Sequence, residues 1–334
     1  MKRIYYLDYV KGIAILLMLW GHTNPPALIS NWIFAFHMPL FFIVGGILVW
    51  NKTTMLPDLS VEEFKQILFK RIKQLGVPYF VFSFLLLAYF TIMKMIAHLP
   101  CDFMESILPV ITFQGIESLW FLPCFFFGEI LMYVTLLPYG WLKYIRFVFF
   151  CIVFLFVVMR SESMPIIWWQ RSLVKYAVSF VFVYSGYLLA KYRIINRLPV
   201  WCASALFLLF SYLCLYNGHV GIGGLVFNNG IMFFVNAIIM SVSLMSICSA
   251  FENRKGGIFD FMSFFGQCSI VVLCTNNFII EFIRLADYKL TGNLLLSGGM
   301  LVSIIFTVIL IVLEIPLLYM AKGRLGFVFG KNQR

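Results

Sequence analysis

Apolar residues recur along the chain in runs of roughly 20, the length a helix needs to cross a bilayer, with short polar joints between them. Ten runs are read, at 9–24, 31–50, 76–97, 119–138, 144–159, 173–190, 198–216, 230–250, 263–283 and 294–320. The pattern predicts an all-α polytopic membrane helix bundle with about ten transmembrane helices. The longest joint, 51–75, sets Val61, Phe64, Ile67 and Leu68 against Glu62, Glu63, Lys65 and Lys70. This basic amphipathic cytoplasmic joint is expected to lie on the inner membrane surface. No internal repeat or linker interrupts the pattern, so residues 1–334 read as a single integral-membrane domain.

Composition sharpens the class. Of the 334 residues, 62% are hydrophobic and 12% charged, against nearer half and a quarter in soluble domains, which excludes an ordinary soluble fold. The formal net charge of +11, from 25 Lys+Arg and 14 Asp+Glu, would suggest nucleic acid in a soluble chain. Here its distribution speaks to topology instead. Nineteen of the cations fall in alternate joints that include Lys2, Arg3, Lys11, the 51–75 cluster and the tail from Lys322 to Arg334. Only Lys94, Arg160, Arg171, Lys175, Arg284 and Lys289 border the opposite joints. Because short cytoplasmic loops collect Lys and Arg, both termini are expected in the cytoplasm. Nothing supports nucleic-acid binding, and the oligomeric state is left open.

Two segments invite misreading. Met1-Lys2-Arg3 before the run Ile13 to Trp20 resembles a signal peptide, but Asp8 and Lys11 interrupt the approach and no small-x-small cleavage site follows, so a retained span is expected. The eight Cys include Cys151, Cys214, Cys248, Cys268 and Cys274 within apolar runs, with no C-x-x-C and no His/Cys ligand spacing. They are read as small apolar packing residues, and no metal is expected.

The ionisable residues within spans are costly in a bilayer and therefore carry the functional argument. Lys11 and His22 are eleven residues apart, which on a helix is three turns plus about 20°, so they share one face. The rise between them is roughly 16 Å, about half the hydrocarbon thickness. That pattern admits a structural reading, with Lys11 snorkelling beside Asp8 and His22 ending the helix, and a functional one. His37 stands in the outer third of the next span, followed by Pro39 and Gly45-Gly46, so the two histidines can meet across a helical hairpin. Glu129 falls nine residues into the span that opens Leu119-Trp120-Phe121-Leu122-Pro123, while Asn236, Asn276 and Asn277 fall in outer halves. Carboxylate, amide and imidazole groups thus gather outward and cations inward, the pattern of a site entered from both sides.

These residues resemble the acyltransferase-3 family of ten-span bacterial membrane acyltransferases, and within it the fucose 4-O-acetylase-like group. The resemblance rests on Lys11-x10-His22, on Phe36-His37-Met38-Pro39-Leu40-Phe41-Phe42 with Gly45, and on Trp120-Phe121-Leu122. Two positions depart from the family pattern: Arg71-x-x-Gln74 stands where Arg-x-x-Arg is expected, and Asn276 stands where many relatives have a histidine. The resemblance implies a bacterial inner-membrane O-acyltransferase that moves an acyl group, usually acetyl, from cytoplasmic acyl-CoA to a hydroxyl of an extracytoplasmic or lipid-linked glycan. Acetyl-CoA would be the co-substrate, with Lys11, Arg71, Lys70 and Lys73 holding its phosphates. His22 and His37 would be catalytic, with His22 the general base or the site of an acyl intermediate. Trp120, Glu129, Asn276 and Asn277 would bind the acceptor or support the oxyanion. The rival readings are a transporter or flippase for a sugar or glycolipid, and a noncatalytic subunit of an export assembly. Donor dependence separates the first of these from an enzyme.

Overall fold

The computed structural model describes residues 3–54, 59–96, 98, 100, 102–159, 167–252, 254, 256–292, 299–323 and 326–329. Its elements in chain order are α1 (Tyr5–Gly21), α2 (Ala27–Phe34), α3 (His37–Thr53), α4 (Val61–Arg71), α5 (Val77–Ile96), α6 (Phe103–Ile111), α7 (Phe121–Val134) and α8 (Lys143–Val153). They continue as α9 (Trp168–Lys191), α10 (Ile194–Arg197), α11 (Val200–Leu213), α12 (Gly230–Ser249), α13 (Gly257–Gln267), α14 (Ser269–Thr291) and α15 (Met300–Lys322). Among the described residues nine helical stretches are long and apolar enough to cross a membrane, and the chain is a multi-pass membrane protein. Helix α1, with 17 residues, is the remaining expected span. At 1.5 Å per residue it reaches about 25 Å, just short of the hydrocarbon thickness, and it is almost wholly enclosed by other helices.

Two expected spans are broken. Run 31–50 divides at Ala35–Phe36, so that α3 begins at His37 and Pro39 lies in its first turn, where a missing backbone N–H breaks no helical bond. Run 263–283 divides at Cys268, leaving α13 and α14 as separate helices. Between α4 and α5 the chain makes a π-helical turn, Ile72–Gly76, immediately after Arg71. Such turns insert an extra residue and re-aim the side chains around them. Helix α4 itself starts at a capping box: Ser60 Oγ accepts from the Glu63 N–H, and the Glu63 carboxylate accepts from the Ser60 N–H.

The centre of the bundle is set by close backbone contact at paired glycines. A Cβ on Gly12 of α1 would fall 2.0 Å from Met262 O of α13, and one on Gly266 of α13 would fall 1.9 Å from Asp8 O of α1. The same reciprocity joins α3 to α9: Gly46 faces Val183 O and Gly186 faces Ile43 O, each at 1.9 Å from an added Cβ. In lipid, where burial of apolar surface gives helices no drive to associate, such small-residue seams supply the dispersion contact that holds them. Around this core, α5, α8, α11 and α15 expose Phe84, Leu85, Phe147, Leu208, Leu209, Leu301 and Val308, an apolar surface suited to lipid tails.

The start of α1 and the end of α15 lie at one end of the bundle. Arg3 Nη2 donates to Ser263 Oγ at 2.9 Å, and the Lys322 ammonium sits 4.2 Å from the ring of Phe264, the next residue. This basic end also holds Lys11, Lys52 and Arg71; the opposite, far end holds His22, His37 and Lys175.

Candidate active site

Helix α1 carries the site on one stripe. Lys11 and Ile15 line a small cavity of about 160 Å³ at the basic end, while Met18 and His22 line a larger one of about 400 Å³ at the far end. The positions 11, 15, 18 and 22 follow the i, i+4, i+7, i+11 progression of a single helix face. Leu273 of α14 lines both cavities and so forms a shared wall between them.

The basic-end cavity is lined by Lys11, Arg71 and Gln267 among apolar and small side chains. Lys11 Nζ lies 2.8 Å from Asp8 Oδ1, and Asp8 also takes Arg3 at 2.8 Å, so one carboxylate anchors two cations. Arg71 donates to Glu129 Oε1 at 2.7 Å and to Gln74 Oε1 at 3.0 Å. The residue that departs from the family pattern therefore acts as an acceptor for the arginine it accompanies. Glu129 is fully buried, and its second oxygen has no hydrogen-bond partner among the described residues. It stands beside Arg71 and does not line the histidine cavity. Lys70 and Lys73 are exposed and line neither cavity; Lys73 lies over the Phe69 ring at 4.8 Å.

At the far end the two histidines share a cavity. His37, at the start of α3, is buried, and its Nδ1 lies 2.7 Å from Ile33 O. The carbonyl can only accept, so Nδ1 carries the proton and Nε2 keeps the lone pair in the neutral ring. The helix break at Ala35–Phe36 is what brings this carbonyl within reach. The His22 ring makes no hydrogen bond among the described residues, which leaves both nitrogens to the cavity. Phe34 stands among three imidazoles in edge-on contact, with centroid distances of 6.3 Å to His22, 5.0 Å to His37 and 5.4 Å to His219.

Trp120 lines this cavity, but Asn276 and Asn277 stand behind its wall. Asn277 Nδ2 donates to Ser118 Oγ at 2.9 Å, and the Ser118 hydroxyl faces Asn276 Oδ1 at 3.1 Å and Leu273 O at 3.0 Å. Asn276 Nδ2 reaches Met18 Sδ at 3.4 Å. The paired amides therefore tie α14 to α1 and to the turn before α7, and Ser118 is the member that reaches the cavity.

Several site residues were not singled out by the sequence. His219 and Gly221 to Gly224 come from the α11–α12 joint, which folds over the cavity through an antiparallel bridge between Gly221 and Val226. A histidine within a glycine-rich joint was the available signal. Lys175, counted only as a border cation, lies on α9 at 8% exposure and lines the same cavity. Its ammonium sits 5.7 Å from the Trp120 ring and pairs with no carboxylate among the described residues. A cation over an indole gains about 0.5–2 kcal/mol. Withdrawing an unpaired ammonium from water costs several kcal/mol, on the order of 3–5 when a partner is missing, so the ring alone does not offset its burial. Glu314 of α15 is likewise fully buried and accepts from Thr275 Oγ1 at 2.8 Å, away from both cavities.

Among the described residues no group of three His, Cys, Asp or Glu side chains is placed to hold a metal ion. The arrangement is instead two chambers in series, one presenting cations and one presenting imidazoles with lone pairs, which suits transfer of a group from an anionic carrier to a hydroxyl. No curated protein and no solved structure matches the chain. Residues 4–313, nearly its whole length, match the acyltransferase domain of the acyltransferase-3 family, and the chain is a membrane acyltransferase belonging to that family.

Proposed function

We propose that the protein moves an acyl group, acetyl in the first instance, from cytoplasmic acyl-CoA bound at the basic end to a hydroxyl of an extracytoplasmic or lipid-linked glycan held in the histidine cavity. The observation that carries this reading is the single α1 stripe that opens at Lys11 into one cavity and at His22 into the other. The basic end then faces the cytoplasm of a bacterial inner membrane, in keeping with its cations.

The residues present fit such a donor. Lys11 and Arg71 are both part-exposed at the smaller cavity, where phosphates would meet an ammonium and a guanidinium fork. About 160 Å³ admits a thin chain and not a nucleotide, so the nucleotide rests at the basic mouth and the acyl-bearing arm lies along Ile15 and Leu273. Asp8 and Glu129 hold the two cations in place.

At the far end His22 takes the proton of the acceptor hydroxyl as its oxygen attacks the acyl carbon. The new C–O bond forms as the C–S bond of the thioester breaks, and the proton held on His22 returns to the departing thiolate. His37, with its proton committed to Ile33 O, accepts from a neighbouring sugar hydroxyl and orients the ring. Trp120 offers an indole face to the sugar, and the Ser118 hydroxyl completes the polar wall. The test is acyl transfer from radiolabelled acetyl-CoA by the protein in liposomes, with release of free thiol read in parallel. A chain that moves cargo without consuming the donor is a transporter and not this enzyme.

A further inference from the structure

The far-end cavity contains a cation that the acyl-transfer chemistry does not use. Lys175 is more than nine-tenths buried, lines the cavity, and is paired with no carboxylate among the described residues. Its nearest charged companion on the helix face is another cation, Arg171, one turn earlier and exposed. Like charges four residues apart on a helix repel, so Arg171 gives Lys175 no neutralising partner. Glu117 lines the same cavity but is exposed at its edge and makes no ion pair with Lys175. A buried ionisable group lining a polar cavity within a membrane protein is by default a candidate functional residue.

We propose that the acceptor carries an anionic oxygen group, a carboxylate or a phosphate, and that Lys175 is the residue that neutralises it. The inference rests on the acyl-transfer reading and narrows its acceptor class to acidic or phosphorylated sugars. Arg171 adds to the positive field one turn away, and Lys175 fixes the anion against Trp120, whose apolar face lowers the local dielectric and strengthens the pair. With the charged group held there, the ring hydroxyls are carried toward His22 and His37 across the cavity. The cavity volume of about 400 Å³ lies within the range of small-molecule sites.

The test uses the full chain in nanodiscs and three probes: methyl glucoside, methyl glucuronide and a methyl glucoside phosphate. The parent protein is expected to bind at least one anionic probe about tenfold or more tightly than the neutral one, the scale expected of a buried charge pair. Which anion wins identifies the source of the charge. Lys175→Gln should abolish the preference, and Lys175→Arg should keep most of it. Equal binding of all three probes by the parent protein overturns the proposal without recourse to any variant, and so does a preference that survives Lys175→Gln. Acetyl-CoA turnover in the same samples reports on the underlying reading separately. A protein that discriminates the anion but never consumes the donor keeps the subsite and loses the acyl-transfer function.

Discussion

Lys11 and His22 stand on one face of α1 and open into different cavities, with Leu273 of α14 in the wall of both. The helix is thus the common edge of two chambers, and the side chains between its two polar residues, Ile15 and Met18, are apolar. A group passing between the chambers must move along this edge, past Leu273.

Enlarging Leu273 should therefore separate binding from transfer. Leu273→Trp places an indole where the chambers adjoin, and misplacing a reacting group by about an ångström costs about 100-fold in rate. Transfer from acetyl-CoA should fall on that scale while donor binding, measured by calorimetry in nanodiscs, stays within about threefold. Loss of both together would mean that the chambers are not used in series.

The buried ion pair makes a second, thermodynamic prediction. Glu129→Ala leaves the part-exposed Arg71 without its carboxylate and should destabilise the protein by about 1.5–3 kcal/mol, read as a lower thermal midpoint. Replacing both partners with leucine should restore most of that loss, because an apolar pair needs no desolvation. If the basic-end cavity takes the donor as proposed, the double variant should nevertheless bind acetyl-CoA poorly, since Arg71 is gone from its lining. A double variant that binds the donor normally would remove Arg71 from that role.

Charge reversal at the proposed donor cavity should be visible in the salt dependence of binding. Lys11→Glu should weaken acetyl-CoA affinity by about tenfold or more at low ionic strength, with a smaller difference at high salt as the phosphates are screened. The measurement is a titration at two salt concentrations. An affinity indifferent to both the substitution and the salt would place the donor elsewhere.

Much of this architecture was legible in the sequence because the bilayer itself sets the length of an element. Apolar runs of the right span can hardly be anything else, and the eleven-residue spacing from Lys11 to His22 translates into a shared face by helix geometry alone. The breaks were not legible. Cys268 ends α13 without a proline or glycine at the break, and Pro39 marks a boundary that falls three residues before it. The surroundings of a polar side chain were the other gap. The distance of Glu129 from Trp120 gives a depth but no partner, because that partner, Arg71, is 58 residues away in sequence. Lys175 passed as a border cation because its burial depends on where α9 begins and on the Trp120 ring packed over it, which no local pattern encodes.

The glycine seam between α3 and α9 offers a test of how the site is held. An added methyl at Gly46 or Gly186 would sit 1.9 Å from a carbonyl oxygen of the facing helix, and neither backbone can yield without parting the pair. Each alanine variant should lose about 1–3 kcal/mol of stability, the usual cost of overpacking. Because α3 carries His37 and α9 carries Lys175, the same separation widens the far cavity, so anionic sugar affinity should fall with the thermal midpoint. A variant with unchanged melting would show that the two helices do not meet at these glycines.

The most direct measurement is acyl transfer by His22→Ala, with the purified chain in liposomes, radiolabelled acetyl-CoA at the basic face and a saccharide acceptor at the other. General-base catalysis is worth about 10²–10⁴ in rate, so transfer should drop by that factor while acetyl-CoA still binds with the affinity of the parent protein. Transfer by His22→Ala at the parental rate would contradict the assignment of the far-end cavity as the place where the acyl group changes hands.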